Sequence, residues 1–289
     1  MSSERDPLRF GAHAFVWIGD WTPEEGDGAI RAAAAAGFDF IEIPMLRPAT
    51  FDAQRHAKTL KEVGIDATVS LGLPADAHMP HRPQEALAFL GTALDKMEVL
   101  GARTLCGCIG YALGTLTGAP PTDDETQVMI DALRTLASDA DARGVSLALE
   151  ACNRYETYMV NTLEQGRDIV RAVGADNLKL HGDTYHMNIE ERGFREPIVA
   201  TADVLDYLHM SESHRGLVGT GTVNWDQIWA ALAEVDYRGT LVLESFAAIN
   251  PDIAAATCLW RPPSKPPEVL ARDGLAFLRE GARRHGLTG

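Results

Sequence analysis

Thr240-Leu-Val-Leu-Glu-Ser-Phe246 is a strand made for a dry interior until its fifth residue, a carboxylate. Three earlier runs share the form. Leu147-Ala-Leu-Glu150 and Leu180-His-Gly-Asp183 end on carboxylates, and Asp206-Tyr-Leu-His209 ends on an imidazole. Each apolar run is short and bounded by turn residues, so each reads as a strand. Four similar runs precede them, at 9–17, 38–45, 66–73 and 103–110; with 146–152, 178–184, 204–211 and 240–246 they make eight.

Helix signals stand between the runs. Thr22-Pro-Glu-Glu25 is a capping box with proline at the first helical position, and Gly37 stops that helix. Thr122-Asp-Asp-Glu125 opens another, whose apolar stripe is Met129, Leu133, Leu136 and Ala140 and whose stop is Gly144. Asn224-Trp-Asp-Gln227 opens a third, and a last helix fills 266–286. Strands that alternate with helices pair in parallel, because a crossover helix lets the next strand run the same way. The strand ends fall 28, 28, 37, 40, 33, 26 and 35 residues apart, each about one βα unit. No linker or shift in composition divides the chain, and no G-x-G-x-x-G follows the first strand, as an open dinucleotide-binding sheet would favour. The reading is one α/β domain over residues 1–289, a closed (β/α)8 TIM barrel.

Bulk properties narrow the function. A net charge of −15 repels phosphate backbones and argues against nucleic acid or an anionic membrane as the main partner. No apolar run approaches the roughly 20 residues of a membrane helix, and residues 1–11 lack the apolar core of a secretion signal. Cys106, Cys108, Cys152 and Cys258 form no CxxC pair, which suits reduced thiols in the cytoplasm.

In such a barrel the active site lies at the C-terminal ends of the strands. Glu150, Asp183, His209 and Glu244 would therefore converge on one axis. Taken alone, each is more often a helix cap, an ion-paired group or a satisfied core histidine. On four successive strands they point to a divalent cation, which relieves both the burial of three carboxylates and their repulsion. One imidazole and three carboxylates, with no thiolate, suit Mn²⁺, Co²⁺ or Mg²⁺. Glu42 reads as an interior polar residue with a partner and no assigned role. His181 reads as a neighbour of Asp183, Cys106 as packing inside the barrel, and Gly219-Thr-Gly221 as a turn.

Several stretches resemble the ketose 3-epimerases, which act on sugars such as D-tagatose, D-allulose and L-ribulose and have xylose-isomerase-like barrels. They are Leu149-Glu-Ala-Cys-Asn-Arg-Tyr-Glu156, Gly182-Asp-Thr-Tyr-His-Met-Asn-Ile-Glu-Glu191, His209-Met-Ser-Glu-Ser-His-Arg215, Val223-Asn-Trp-Asp226 and Leu243-Glu-Ser-Phe246. The resemblance implies one ion, Mn²⁺ ahead of Co²⁺ or Mg²⁺, on Glu150, Asp183, His209 and Glu244. It implies that Glu150 and Glu244 act on opposite faces of C3 through a cis-enediolate. It gives Glu156, His186 and Arg215 the O1 and O2 end of the sugar. For the far end the candidates are His13, Trp17, Ser70, Gly107, Cys108 and Leu113. His13 stands where tagatose-type members carry an aromatic residue and Leu113 where they carry tryptophan, so the preferred ketose is left open. Family members are commonly dimers or tetramers, which implies a homodimer or homotetramer.

The competing functions are a sugar isomerase or a metal-dependent dehydratase on the same barrel, an endonuclease, and a non-catalytic sugar-binding barrel. The paired Glu150 and Glu244, with Glu156 and Arg215, favour epimerisation. An endonuclease of this type needs more histidine ligands than strands one to four supply, where His13 stands alone.

Overall fold

All eight expected runs contribute a strand: β1 (Phe10–His13), β2 (Phe40–Pro44), β3 (Asp66–Leu73), β4 (Thr104–Ala112), β5 (Ser146–Glu150), β6 (Leu178–Asp183), β7 (Leu205–Ser211) and β8 (Thr240–Glu244). They pair in chain order, all parallel, and β8 closes on β1. The structure is a computed structural model that describes residues 8–248, 254–255, 257–261 and 265–287. Of the N-terminal stretch read above for a secretion signal, residues 1–7 lie outside the described residues. Among the described residues no helix is long and apolar enough to cross a membrane.

The helices stand where their signals place them. They are α1 (Pro23–Ala36), α2 (Ala53–Val63), α3 (Pro83–Leu100), α4 (Asp123–Ala142), α5 (Leu163–Val173), α6 (Thr184–Glu190), α7 (Arg195–Ala200), α8 (Trp225–Glu234) and α9 (Pro267–Arg284). Thr122 and Glu125 form both halves of a capping box at α4. At α1 only one half forms: the Thr22 hydroxyl accepts from the Glu25 N–H, but the Glu25 carboxylate takes the Thr22 hydroxyl instead of its backbone N–H. Gly37 ends α1 in the left-handed conformation, as expected.

Two departures shape the site. The first strand stops at His13 and not at 17, because the His13 Nδ1 accepts the Phe15 N–H and turns Ala14–Val16 into a 3₁₀ turn. The pairing of β6 with β7 shifts register after Leu180, which sets Asp183 directly beside His209. Gly107 in β4 has φ +100°, and a Cβ there would lie 2.5 Å from the Leu71 carbonyl oxygen, so only glycine fits.

Inside the barrel Phe40, Cys106, Ala148, Tyr207 and Val242 form their own apolar cluster, separate from the large core between strands and helices. Successive side chains on a strand alternate faces. Two residues further along the same five strands stand Glu42, Cys108, Glu150, His209 and Glu244. The apolar layer is thus the floor of the polar one.

Candidate active site

The four strand-end residues are buried together: Glu150, Asp183, His209 and Glu244 are 7%, 0%, 3% and 6% exposed. Ligand-capable atoms of Asp183, His209 and Glu244 lie within 4.8 Å of one another. Glu150 joins through two overlapping groups at the same spacing, one with Asp183 and His186, one with His181 and His209. Asp183 Oδ2, His209 Nδ1 and Glu244 Oε2 have no hydrogen-bond partner. An unsatisfied buried polar atom costs about 1–3 kcal/mol, so three at one point fit the ligand set of a cation. Hard oxygens and one imidazole suit Mn²⁺, Mg²⁺ or Co²⁺.

The carboxylates are pushed in different directions. Burial, and then the neighbouring Cys152, raises the Glu150 carboxyl well above its ordinary range. Burial and the Glu244 charge push Asp183 up to about 8. Burial also acts to raise Glu244, but the Arg215 guanidinium and His209 outweigh it and hold that carboxyl well below. Burial thus favours a proton on Glu150 and on Asp183, while Arg215 and His209 favour the charged form of Glu244.

Glu42, left without a role above, is the hub beneath this cluster. It is fully buried and accepts from the Tyr207 hydroxyl at 2.5 Å and the His209 Nε2 at 2.9 Å. The His13 Nε2 is 3.5 Å from its other oxygen. With the His209 Nε2–H turned to Glu42, Nδ1 is the nitrogen that faces Asp183 and Glu244. The sequence carried a signal: Glu42 sits two residues after Phe40 in Phe40-Ile-Glu-Ile-Pro44, on the inward face.

Glu156, His186 and Arg215 form one wall. The His186 Nδ1 accepts the Asn153 N–H at 3.1 Å, and burial, then Arg215, keeps this imidazole neutral. Its Nε2 stands 3.1 Å from the Arg215 Nη2, 3.6 Å from Glu150 and 3.7 Å from Asp183. Asn153 also donates to Glu156 at 2.9 Å. Arg215 adopts φ 53°, unusual for a side chain of its size. Its guanidinium stacks 4.1 Å over the Tyr185 ring and stands 3.6 and 3.7 Å from Asp183 and Glu244. Buried Glu212 braces the loop by accepting N–H groups of Ser213, Gly219 and Val223 and of the Trp225 indole. Gly219 and its neighbours are the turn read from sequence.

The cavity above these groups measures about 260 Å³. His13, Ser70, Gly107, Cys108 and Leu113 line it with Glu150, Glu156, His186, His209, Arg215 and Glu244. Asp183 lies just below, fully covered. Trp17 is the exception among the expected wall residues. The 3₁₀ turn after His13 takes it off the wall, edge-on to Phe38 at 5.9 Å. Phe15, of the same parity as His13 and Trp17 but not among the expected wall residues, lines the cavity instead, 4.5 Å from the His13 ring and 5.5 Å from Phe246. His181, fully buried, packs its ring 4.3 Å from that of His209, next to the site as expected. Cys106 packs in the floor as expected.

A family model described as xylose isomerase-like TIM barrel matches residues 30–281. The chain is 38% identical to an L-ribulose 3-epimerase of Methylomonas sp. (strain DH-1), over 94% of this chain and 97% of that one. It is 35% identical to a ketose 3-epimerase of Arthrobacter globiformis, over 94% and 96% of the two chains. Among solved structures, a D-allulose 3-epimerase from Methylomonas sp. in complex with D-allulose superposes with a TM-score of 0.91 at 37% identity, covering 97% of this chain and 99% of that one.

Proposed function

This chain belongs to the xylose isomerase-like TIM barrel family and, within it, to the ketose 3-epimerases, and from that premise we propose that it inverts C3 of a free ketose with two glutamates around one divalent cation. The observation that carries the mechanism is the meeting of Glu150 and Glu244 with Asp183 and His209, three of whose inward atoms lack any partner. Mn²⁺ is the first choice of ion, ahead of Co²⁺ or Mg²⁺. When bound it would polarise the C2 carbonyl and acidify the C3 proton.

The chain's own groups do the rest. One of Glu150 and Glu244 removes the C3 proton, and the other returns a proton to the opposite face of the enediolate. Inversion needs both, since a single base returns the proton to the side it left. The Arg215 guanidinium and the His186 imidazole hold the O1 and O2 end, where negative charge develops. Glu156, braced by Asn153, accepts from a hydroxyl at that end. The far wall (Leu71, Leu73, Leu113 and Phe15) is apolar and meets the remaining carbons. The substrates that fit are pairs such as D-allulose and D-fructose, D-tagatose and D-sorbose, or L-ribulose and its C3 epimer. A homodimer or homotetramer belongs to the same reading and is checked by light scattering.

The test incubates Mn²⁺-loaded protein with free ketoses in D₂O and reads deuterium at C3 by NMR. Deuterium in both epimers is expected, and Glu150→Gln and Glu244→Gln should each abolish epimerisation with the circular dichroism unchanged. Turnover retained in either variant removes the two-base scheme. Loss of water, or exchange without a C3 epimer, points instead to a dehydratase or to an isomerase of another carbon.

A further inference from the structure

Two thiols outside the chemistry above meet in the cavity wall. Cys108 on β4 and Cys152 just past β5 place their Sγ atoms 3.4 Å apart, both reduced and both at the cavity. The Glu150 Oε2 is 3.9 Å from the Cys108 Sγ, and the three donor atoms all lie within 4.8 Å of one another. A four-coordinate zinc ion has Zn–S bonds of about 2.3 Å and Zn–O bonds of about 2.0–2.2 Å, which puts tetrahedral S···S and S···O separations near 3.8 and 3.5 Å. The observed 3.4 and 3.9 Å each need a shift of only a few tenths of an ångström to match. The same pair of thiols is poor company for Mn²⁺ or Mg²⁺, which take oxygen, and good company for a soft cation. Glu156 and His186 form a second group with Cys152 within 4.8 Å, so a fourth ligand is at hand.

We propose that Cys108, Cys152 and Glu150 form a site for a thiophilic divalent cation of the zinc type, adjoining the hard-ion cluster and sharing Glu150 with it. Binding exchanges two thiol protons for the ion and involves no redox step. Occupation takes Glu150 out of its exchange role and stops turnover. That second clause rests on the function proposed above, whereas the binding itself does not.

The probe is Cd²⁺, whose bonds to thiolate absorb in the ultraviolet. Cys258 is exposed and would bind Cd²⁺ on its own, so it is first replaced by serine. The Mn²⁺-loaded Cys258→Ser protein is titrated while thiolate-to-cadmium absorption and ketose turnover are followed together. A band that saturates at one equivalent, with turnover falling in step, is expected. Adding Cys152→Ala should remove the band, and so should Cys108→Ala in a second protein, each checked for fold by circular dichroism. A band that survives both substitutions, or no band in Cys258→Ser, overturns the site. Turnover lost without a band means that Cd²⁺ has displaced Mn²⁺ from the oxygen ligands, and that also overturns it. A protein that shows the band but epimerises no ketose keeps this site and removes the function.

Discussion

At Glu42 the Tyr207 hydroxyl and the His209 imidazole meet one buried carboxylate. The carboxylate fixes which nitrogen of His209 carries the hydrogen, and so which one faces the cluster. Groups that orient a metal-binding histidine typically alter metal affinity 10–100-fold when removed. Glu42→Leu should therefore weaken Mn²⁺ binding by about that factor, measured by the electron paramagnetic resonance of free Mn²⁺. The melting temperature should fall as well, since removing one partner of a buried charged pair leaves the His209 imidazole and the Tyr207 hydroxyl unpaired, a loss of about 3–5 kcal/mol. At this scale the sequence is legible where a residue's chemistry and its strand position agree, as for Glu150, Asp183, His209 and Glu244. Glu42 is less legible because its partners are 165 and 167 residues away, and a lone glutamate in an apolar run says nothing of what it meets.

Among the elements, the strands were readable to within a few residues, and the misreadings have local causes. The strand assigned to 9–17 fails after His13 because a side-chain nitrogen captures the Phe15 N–H, which no hydrophobic pattern reports. From there the two-residue alternation ceases, so Trp17 leaves the wall although it shares the parity of His13 and Phe15. In β4 the opposite holds: the strand runs on to Ala112, beyond the expected 110, and passes through Gly107 at a positive φ. Gly107→Ala would force both a strained backbone and a clash with the Leu71 carbonyl. It should destabilise the protein by about 1–3 kcal/mol or more in a urea titration. If stability is unchanged, β4 does not hold that conformation.

For the whole molecule, the ion and the fold are linked. Below about pH 6.5 the imidazoles of His13, His181 and His186, kept neutral first of all by burial, cost stability as pH falls. Above that range the balance turns on the acids. Asp183, pushed up to about 8, keeps a proton that the unfolded chain has already lost, and Glu150 acts in the same sense. His209 is held charged by Glu42 and Glu244 against its burial, and it too favours the folded state less as pH climbs. The chelator-treated protein should therefore lose stability between about pH 6.5 and 8. A bound cation needs those groups deprotonated, so it should flatten the profile and release protons. At one hundred times its Kd it should add about 2.7 kcal/mol. Calorimetry with and without Mn²⁺ across that range checks both; a profile that ignores the ion would detach the buried acids from metal binding. The barrel as a whole was legible because eight βα units of similar length leave few topologies open. The brace built on Glu212 was not, since its partners come together only once the loop after β7 has folded.

The apolar floor has a consequence for anyone who would retune this protein. Each of its five side chains stands one pleat below a group of the polar layer, on the same strand. Bulk there works as a shim: a larger side chain at Ala148 would raise Glu150, and a smaller one at Val242 would let Glu244 settle. The aperture of the donor ring could be widened or narrowed from underneath, without exchanging a single atom that touches an ion or a sugar.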